Sequence, residues 1–258
     1  MGEGCGKMRS CMIILSLMLS LCLVAGCGSP AEKGNEIKVG TNAEFPPFEK
    51  LEGSGEITGF DAEILAAVAE AENLSLDFQH VGWDTMLNGV ANGQIDAGIS
   101  AITITEDRQK IYDFTDPYFE AKQVILVPNK SQVQTLKDLK GKKIGVQSST
   151  TGEKVVQESF GTTYPGLKRY DVISSAVDDL RLGRVDAVVV DEAVNAEYIK
   201  KLGADQFKMV TDPAMPAESY GMIVKKGDQE LLTRLNSGLK KIKQNGTYDQ
   251  IYAKYFGK

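Results

Sequence analysis

Strand-like apolar runs alternate with helical periods along most of this chain, and no other feature narrows its fold so far. "EIKVGT" reads as a strand, and in "GFDAEILAAVAEAENL" the residues Ile64, Leu65, Val68 and Ala69 share one helical face. The strand "LSLDFQHV", the helix "WDTMLNGVANG" and the strand "IDAGIS" follow. A second set reads "KKIGVQ", "TGEKVVQESF", "LKRYD", "SSAVDDLRLG", "VDAVVV" and "EAVNAEYIKKLG". Such alternation predicts an α/β fold with helices covering the sheets. One junction recurs: Gly93-Gln94-Ile95-Asp96-Ala97-Gly98-Ile99 and Gly183-Arg184-Val185-Asp186-Ala187-Val188-Val189 each follow a helix with a Gly exit, one residue and an apolar-Asp-Ala strand entry. Two lobes sharing one supersecondary unit would produce this match, and so would the common chemistry of helix-to-strand junctions.

Between the two sets lies "FTDPYFEAKQVILV", an apolar stretch with Pro117 and no helical period, and "MPAESYGMIVKK" near the end has the same character. Two extended connections between rigid lobes would form a hinge. The expected division is 37–119 plus 221–258 for the first lobe and 120–220 for the second, with hinges near 117–123 and 214–221. The last stretch reads as two helices broken at Asn245-Gly246, packing back on the first lobe.

The amino terminus differs in kind. Lys7 and Arg9 precede "CMIILSLMLSLCLVAG", too short for a comfortable membrane span, and "LVAGC" ends at Cys27. This looks like a bacterial lipoprotein signal over 1–26 that leaves Cys27 to carry a lipid; an uncleaved anchor helix is the alternative. Residues 27–36, largely "GSPAEKGNE", read as a flexible tether. Cys5, Cys11 and Cys22 would leave with the signal, so a disulfide framework and a cysteine metal site are excluded. The chain carries 29 Lys and Arg against 35 Asp and Glu, a net charge of −6. An acidic domain of this kind does not suit nucleic acid, whose phosphates need cationic partners.

Chemistry-bearing residues gather in "GISAITITEDRQ". Arg108 in the first turn of a helix opposes the helix dipole at a cost of about 0.3–1 kcal/mol, which a bound carboxylate would offset. Ser100 and Thr103 deliver hydroxyls to the same strand end. The plainer alternative makes Thr103 or Thr105 an N-cap, with Glu106 completing a box from Thr103 and Arg108 in solvent. In the second set "VVVDEA" puts Asp191 at the carboxyl end of a buried strand, where open α/β sheets bind ligands; a helix cap would also explain it. A cation on one lobe and an anion on the other match a zwitterion. Phe45, Phe48 and Trp83 stand at loop positions on the same edge, as ligand walls or as core. "QSSTTGE", from Gln147, lacks P-loop spacing; its Thr150 and Thr151 suit a helix N-terminus presenting N–H groups. His80 is the only histidine and no G-x-S-x-G occurs, so nucleophilic catalysis finds little support, while paired-carboxylate chemistry stays open.

In "VGTNAEFPPFE", "GFDAEI", "IDAGISAITITEDRQ", "FTDPYFE", "LKGKKIGVQSSTTGE", "RVDAVVVDE" and "NGTYDQIYAKYFGK" the chain resembles the polar amino-acid-binding proteins of ATP-driven importers, bacterial extracellular solute-binding protein family 3, from Ile37 to Lys258. The resemblance implies a two-lobed, periplasmic-binding-protein-like (type II) α/β fold with two crossover hinge strands, closing on an amino acid. It implies that Arg108 grips the α-carboxylate with help from Ser100, Thr103 and the Thr151 backbone, that Asp191 binds the α-ammonium, and that Phe45 and Trp83 stack on the side chain. Gln147, Thr150 and Ala101 complete the set. Asn42 stands where many basic-amino-acid binders have Asp, and Ala101 where some relatives have Ser. The wording is closest to arginine, lysine and histidine binders, with Glu44 as a carboxylate for a cationic side chain. Glutamine binders share "ITIT" and "NGTY". The implied partners are a free L-amino acid and an ABC permease with its ATPase subunit; the implied place is extracytoplasmic, anchored to the membrane through the lipid. A monomer without cofactor, metal, nucleic acid partner or enzymatic activity is expected. A dehydratase on the same fold and a sensor that signals to a receptor are the alternatives.

Overall fold

The computed structural model describes residues 36–257. The expected signal 1–26, Cys27 and the tether as far as residue 35 lie outside the described residues. In the first half, β1 (Glu36–Thr41) leads into a small sheet of β2 (Glu44–Phe45), β3 (Glu49–Leu51) and β4 (Ile57–Thr58). Then come α1 (Phe60–Glu72), β5 (Ser75–His80), α2 (Trp83–Asn92), β6 (Ala97–Gly98), the single turn α3 (Glu106–Gln109) and β7 (Tyr112–Phe114). The long strand β8 (Phe119–Pro128) opens the second half, followed by a 3-10 turn at Leu136–Leu139, β9 (Ile144–Gln147), α4 (Thr151–Phe160) and β10 (Leu167–Tyr170). After α5 (Ile173–Arg181), β11 (Ala187–Asp191), α6 (Glu192–Leu202) and β12 (Phe207–Val210), the chain returns through β13 (Ala217–Tyr220) and β14 (Ile223–Lys225) to end in α7 (Gln229–Gln244) and α8 (Thr247–Phe256).

Two larger sheets result, ordered β5-β1-β6-β14-β7 and β10-β9-β11-β8-β12, and β13 pairs antiparallel with the first half of β8. β1 lies parallel to β5 and β6, and β9 lies parallel to β10 and β11. The paired segments β8 and β13 are the two extended connections that their sequences foretell. Val188, Val189 and Val190 of β11 are all buried, as a strand covered on both faces requires. Among the described residues no helix is long and apolar enough to cross a membrane.

The recurring junction has the same atomic form in both halves. Gly93 and Gly183 end their helices with φ of 74° and 70°. Three residues later, the Asp96 carboxylate accepts the Lys38 N–H at 2.7 Å and the Asp186 carboxylate accepts the Lys143 N–H at 2.7 Å. Each aspartate therefore stitches its strand to the start of the parallel neighbour.

"IDAGIS" pairs as a strand only over Ala97–Gly98, because the backbone turns at Ala101, whose φ is 48°. The terminal helices do pack on the first sheet's side, α7 against α1, and α8 brings Phe256 within 5.1 Å of the Phe60 ring. Phe48 is fully buried beside Phe119 and Tyr220, so it belongs to the core and walls no ligand. His80 accepts the Ala43 N–H at its Nδ1, a satisfied residue.

Candidate functional site

Where the carboxyl ends of β1, β6, β9 and β11 face one another, they enclose a small cavity. Eleven of the twelve expected residues line it: Asn42, Phe45 and Trp83 from the first half's loops, Ser100, Ala101, Thr103 and Arg108 beyond β6, and Gln147, Thr150, Thr151 and Asp191 from the second half. Glu44 is the exception. It lies on an adjoining pocket of about 250 Å³ that shares Asn42 and Trp83 with the cavity and also holds Asp84 and Asp171.

The Arg108 side chain is turned inward rather than outward to solvent. Thr105, not Thr103, caps α3 by accepting the Arg108 N–H at 3.2 Å. The guanidinium donates to the Thr103 carbonyl at 2.9 Å and to the Ser149 carbonyl at 3.2 Å, and its carbon sits 5.4 Å from the Trp83 ring centroid. Desolvation lowers its pKa, while the carboxylates of Glu218 and Asp191 pull it back up. Two carbonyls leave most of the five guanidinium N–H donors available to an anion.

Asp191 precedes α6 without capping it through its side chain. Its Oδ1 accepts the Tyr220 hydroxyl at 2.5 Å. Burial, helped by the nearby Glu218 charge, pushes its pKa up to about 7.

The hydroxyls turn out to be oriented by residues outside the expected set. Ser100 donates to Glu49 Oε1 at 2.8 Å and accepts the Asn42 N–H at 3.1 Å. Its single proton is thus committed, and Ser100 offers the cavity a lone pair, suited to an ammonium rather than to a carboxylate. Thr103 and Thr151 both donate to Glu218 Oε2 at 3.1 Å, where the Gln123 amide also donates at 3.2 Å. Thr150 caps α4 by accepting the Glu153 N–H at 3.4 Å. Thr151 opens α4 and lines the same cavity as Arg108, and the first N–H groups of a helix have no intrahelical partner, as an anion site needs. Gln147 donates to Asn42 Oδ1 at 3.1 Å, and the Asn42 amide donates in turn to Glu44 Oε2 at 3.3 Å. An aspartate at position 42 would leave that glutamate without this donor and beside a like charge.

Glu218, Gln123 and Glu49 are the functional neighbours that the sequence did not single out. The first two sit on β13 and β8, and a polar residue inside those apolar connecting strands was the available signal.

A model of the bacterial extracellular solute-binding proteins, family 3, matches residues 37–258. The chain is 38% identical over 255 residues to a probable histidine-binding protein of Neisseria gonorrhoeae, covering 95% of each. The crystal structure of the arginine-, lysine-, histidine-binding protein ArtJ from the thermophilic bacterium Geobacillus stearothermophilus is similar at a TM-score of 0.83 and 42% identity, covering 86% of this chain and 96% of that one. An ancestral arginine-binding protein bound to glutamine is similar at a TM-score of 0.80 and 40% identity, covering 87% and 99%. These likenesses identify the fold as the two-lobed type of periplasmic amino-acid-binding proteins. The chain belongs to the bacterial extracellular solute-binding proteins, family 3.

Proposed function

We propose that this protein captures an L-α-amino acid between its lobes and delivers it to the permease of an ATP-driven importer. The observation that carries this reading is the pair of opposite charges, Arg108 from one side and Asp191 from the other, on one cavity. The guanidinium and the first N–H groups of α4 take the α-carboxylate; Asp191 and the Ser100 lone pair take the α-ammonium. Phe45 and Trp83 wall the side chain.

The proposed ligand is basic. A cationic side chain leaving the cavity past Asn42 and Trp83 enters the pocket of Glu44, Asp84 and Asp171, where three carboxylates offset its charge. The histidine- and arginine-binding relatives agree with this choice. Glutamine is the second reading, since Asp191 is the only carboxylate on the central cavity and the Asn42 and Gln147 amides beside it suit a carboxamide.

The lobes are assigned to 37–119 plus 221–258 and to 120–220, with hinges near 117–123 and 214–221. In this reading the signal over 1–26 is removed, and a lipid on Cys27 with the tether 27–36 holds the protein at the outer face of the cytoplasmic membrane, or in the periplasm of a two-membrane envelope, as a monomer that binds and does not catalyse. Calorimetric titration of the protein, first unfolded and refolded to strip carried-over ligand, against the twenty amino acids tests the reading. Tight binding of arginine, lysine or histidine supports it, tight binding of glutamine selects the second reading, and silence across the panel refutes both.

A further inference from the structure

Beneath the cavity, on the side of the first sheet, two carboxyl groups face each other with no cation beside them. Glu49 on β3 and Asp61 in the first turn of α1 are both fully buried. No lysine or arginine forms an ion pair with either among the described residues. Their four oxygens divide unevenly. Asp61 Oδ2 accepts the Ala101 N–H at 2.7 Å and the Tyr118 hydroxyl at 2.8 Å, and Glu49 Oε1 accepts the Ser100 hydroxyl at 2.8 Å. The remaining oxygens, Glu49 Oε2 and Asp61 Oδ1, have no donor. The Asp61 charge nevertheless lies close enough to Glu49 to raise its pKa.

Two ionised carboxylates there would leave a pair of uncompensated charges in the core and two orphaned acceptors. Two neutral acids would leave one hydroxyl with nothing to receive it. We infer that Glu49 and Asp61 share one proton, held on Glu49 Oε2 and donated to Asp61 Oδ1, and that this pair positions the Ser100–Ala101 turn that lines the ligand cavity. Asp61 is the anion because it already has two donors. Glu49 is the acid because it has one.

The consequence for the cavity follows the bonds. Ionised Asp61 holds the Ala101 N–H and so keeps Ala101 at φ 48°, a left-handed backbone that residues with a Cβ rarely adopt. Glu49 draws the Ser100 proton away from the cavity and turns a lone pair toward the place assigned to the α-ammonium. Burial, with the Asp61 charge beside it, pushes Glu49 well above the ordinary carboxylate range, while burial pushes Asp61 up to about 6 against the lowering effect of the Ala101 N–H, Tyr118 and Glu49. The other titratable groups facing the pair are Tyr118 before β8, which donates to Asp61, Asp191 at the end of β11, and Tyr220 on β13, which donates to Asp191. Glu49 is thus a positioning residue, acting through Ser100. This assignment rests on the amino-acid-binding reading for its effect on ligand, and on the burial and the unpaired oxygens of the two carboxyls for the proton.

Infrared spectra of the wild-type protein and the Glu49→Gln variant at pH 7, with L-arginine titrations of both and of Glu49→Ala, test it. Gln reproduces the protonated acid: its Oε1 accepts from Ser100 and its amide donates to Asp61. The difference spectrum is expected to show a protonated carboxyl C=O band in the wild type that the Gln variant lacks. The Ala variant, which orphans Ser100 and Asp61, is expected to bind L-arginine about tenfold or more weakly, and Gln to restore the wild-type affinity. No band lost on Glu49→Gln, or a Gln variant as weak as Ala, would overturn the proposal. If the wild type ignores every amino acid, the reading of the cavity fails, and the band together with the relative stability of the Gln and Ala variants still decides the shared proton.

Discussion

Arg108 and Asp191 differ in what holds them, and that difference governs how each would respond to change. Arg108 contacts two carbonyls and the Trp83 ring, and α3 keeps its own cap in Thr105, so the guanidinium can be removed with little effect on the fold. Arg108→Ala is expected to weaken amino-acid binding by about 2–5 kcal/mol while leaving the melting temperature near that of the wild type, because a ligand carboxylate loses its charged partner. Calorimetry beside a thermal melt checks both halves, and an unchanged affinity would remove Arg108 from the site. Asp191 has a pKa near 7 in the empty protein, whereas binding an ammonium favours its ionised form. Apparent affinity should therefore fall as pH drops below 7, approaching about tenfold per unit, with up to one proton released per ligand bound. Stability of the empty protein runs the other way. The raised pKa stabilises the folded state fully only below the ordinary aspartate range, and that contribution is lost as pH rises through about 7. Titrations in buffers of different ionisation enthalpy measure the released proton, and identical observed heats at pH 6 would refute the linkage. Both charges were legible in the sequence because each sits where a strand meets a helix. The partners of Glu218 and Glu49 were not, since their bonds join residues 115 and 51 positions apart and no local pattern names a partner at that distance.

Among the elements, those with a long, consistent period were the ones foreseen. α1 buries Ile64, Leu65 and Val68 as its spacing requires, and the three valines of β11 announce a buried strand. The hairpin strands β2 to β4, of two or three residues each, are too short to show any alternation, and the 3-10 turn at Leu136–Leu139 is marked only by the Thr135–Asp138 capping box before it. The packing of α7 on α1 depends on a residue that helix propensity alone would replace. A Cβ at Gly238 would lie 2.7 Å from Val68 Cγ1 and 3.0 Å from the Val68 carbonyl. Gly238→Ala should therefore lower stability by about 1–3 kcal/mol despite the roughly 1 kcal/mol that alanine gains in an exposed helix. Urea unfolding with an unchanged slope would measure it, and a stabilised variant would show that α7 and α1 can separate at no cost.

At the scale of the molecule, the structure has its two halves in contact across the cavity. Trp83 Nε1 donates to the Ser149 carbonyl at 3.4 Å, Gln147 donates to Asn42 at 3.1 Å, and Lys154 pairs with Asp107 at 2.9 Å. The last of these is exposed, and such pairs are worth about 0–1 kcal/mol, so it adds little to holding the halves together. A ligand favours closure only by its differential affinity for that state. On this account the difference comes from one molecule touching Arg108 with its carboxylate and Asp191 with its ammonium. The alternation of elements, the two extended connecting strands and the opposed charges were all visible in the sequence. What was not visible was the direction of each hydrogen bond, which depends on partners brought together by folding. The measurement that bears most directly on the claim is a calorimetric comparison of the tightest-binding amino acid with its own decarboxylated amine and with acetate, on the refolded protein. The account predicts that each fragment binds at least about 2 kcal/mol more weakly than the intact amino acid. An amine or an acetate ion that binds as tightly as the whole zwitterion would contradict it.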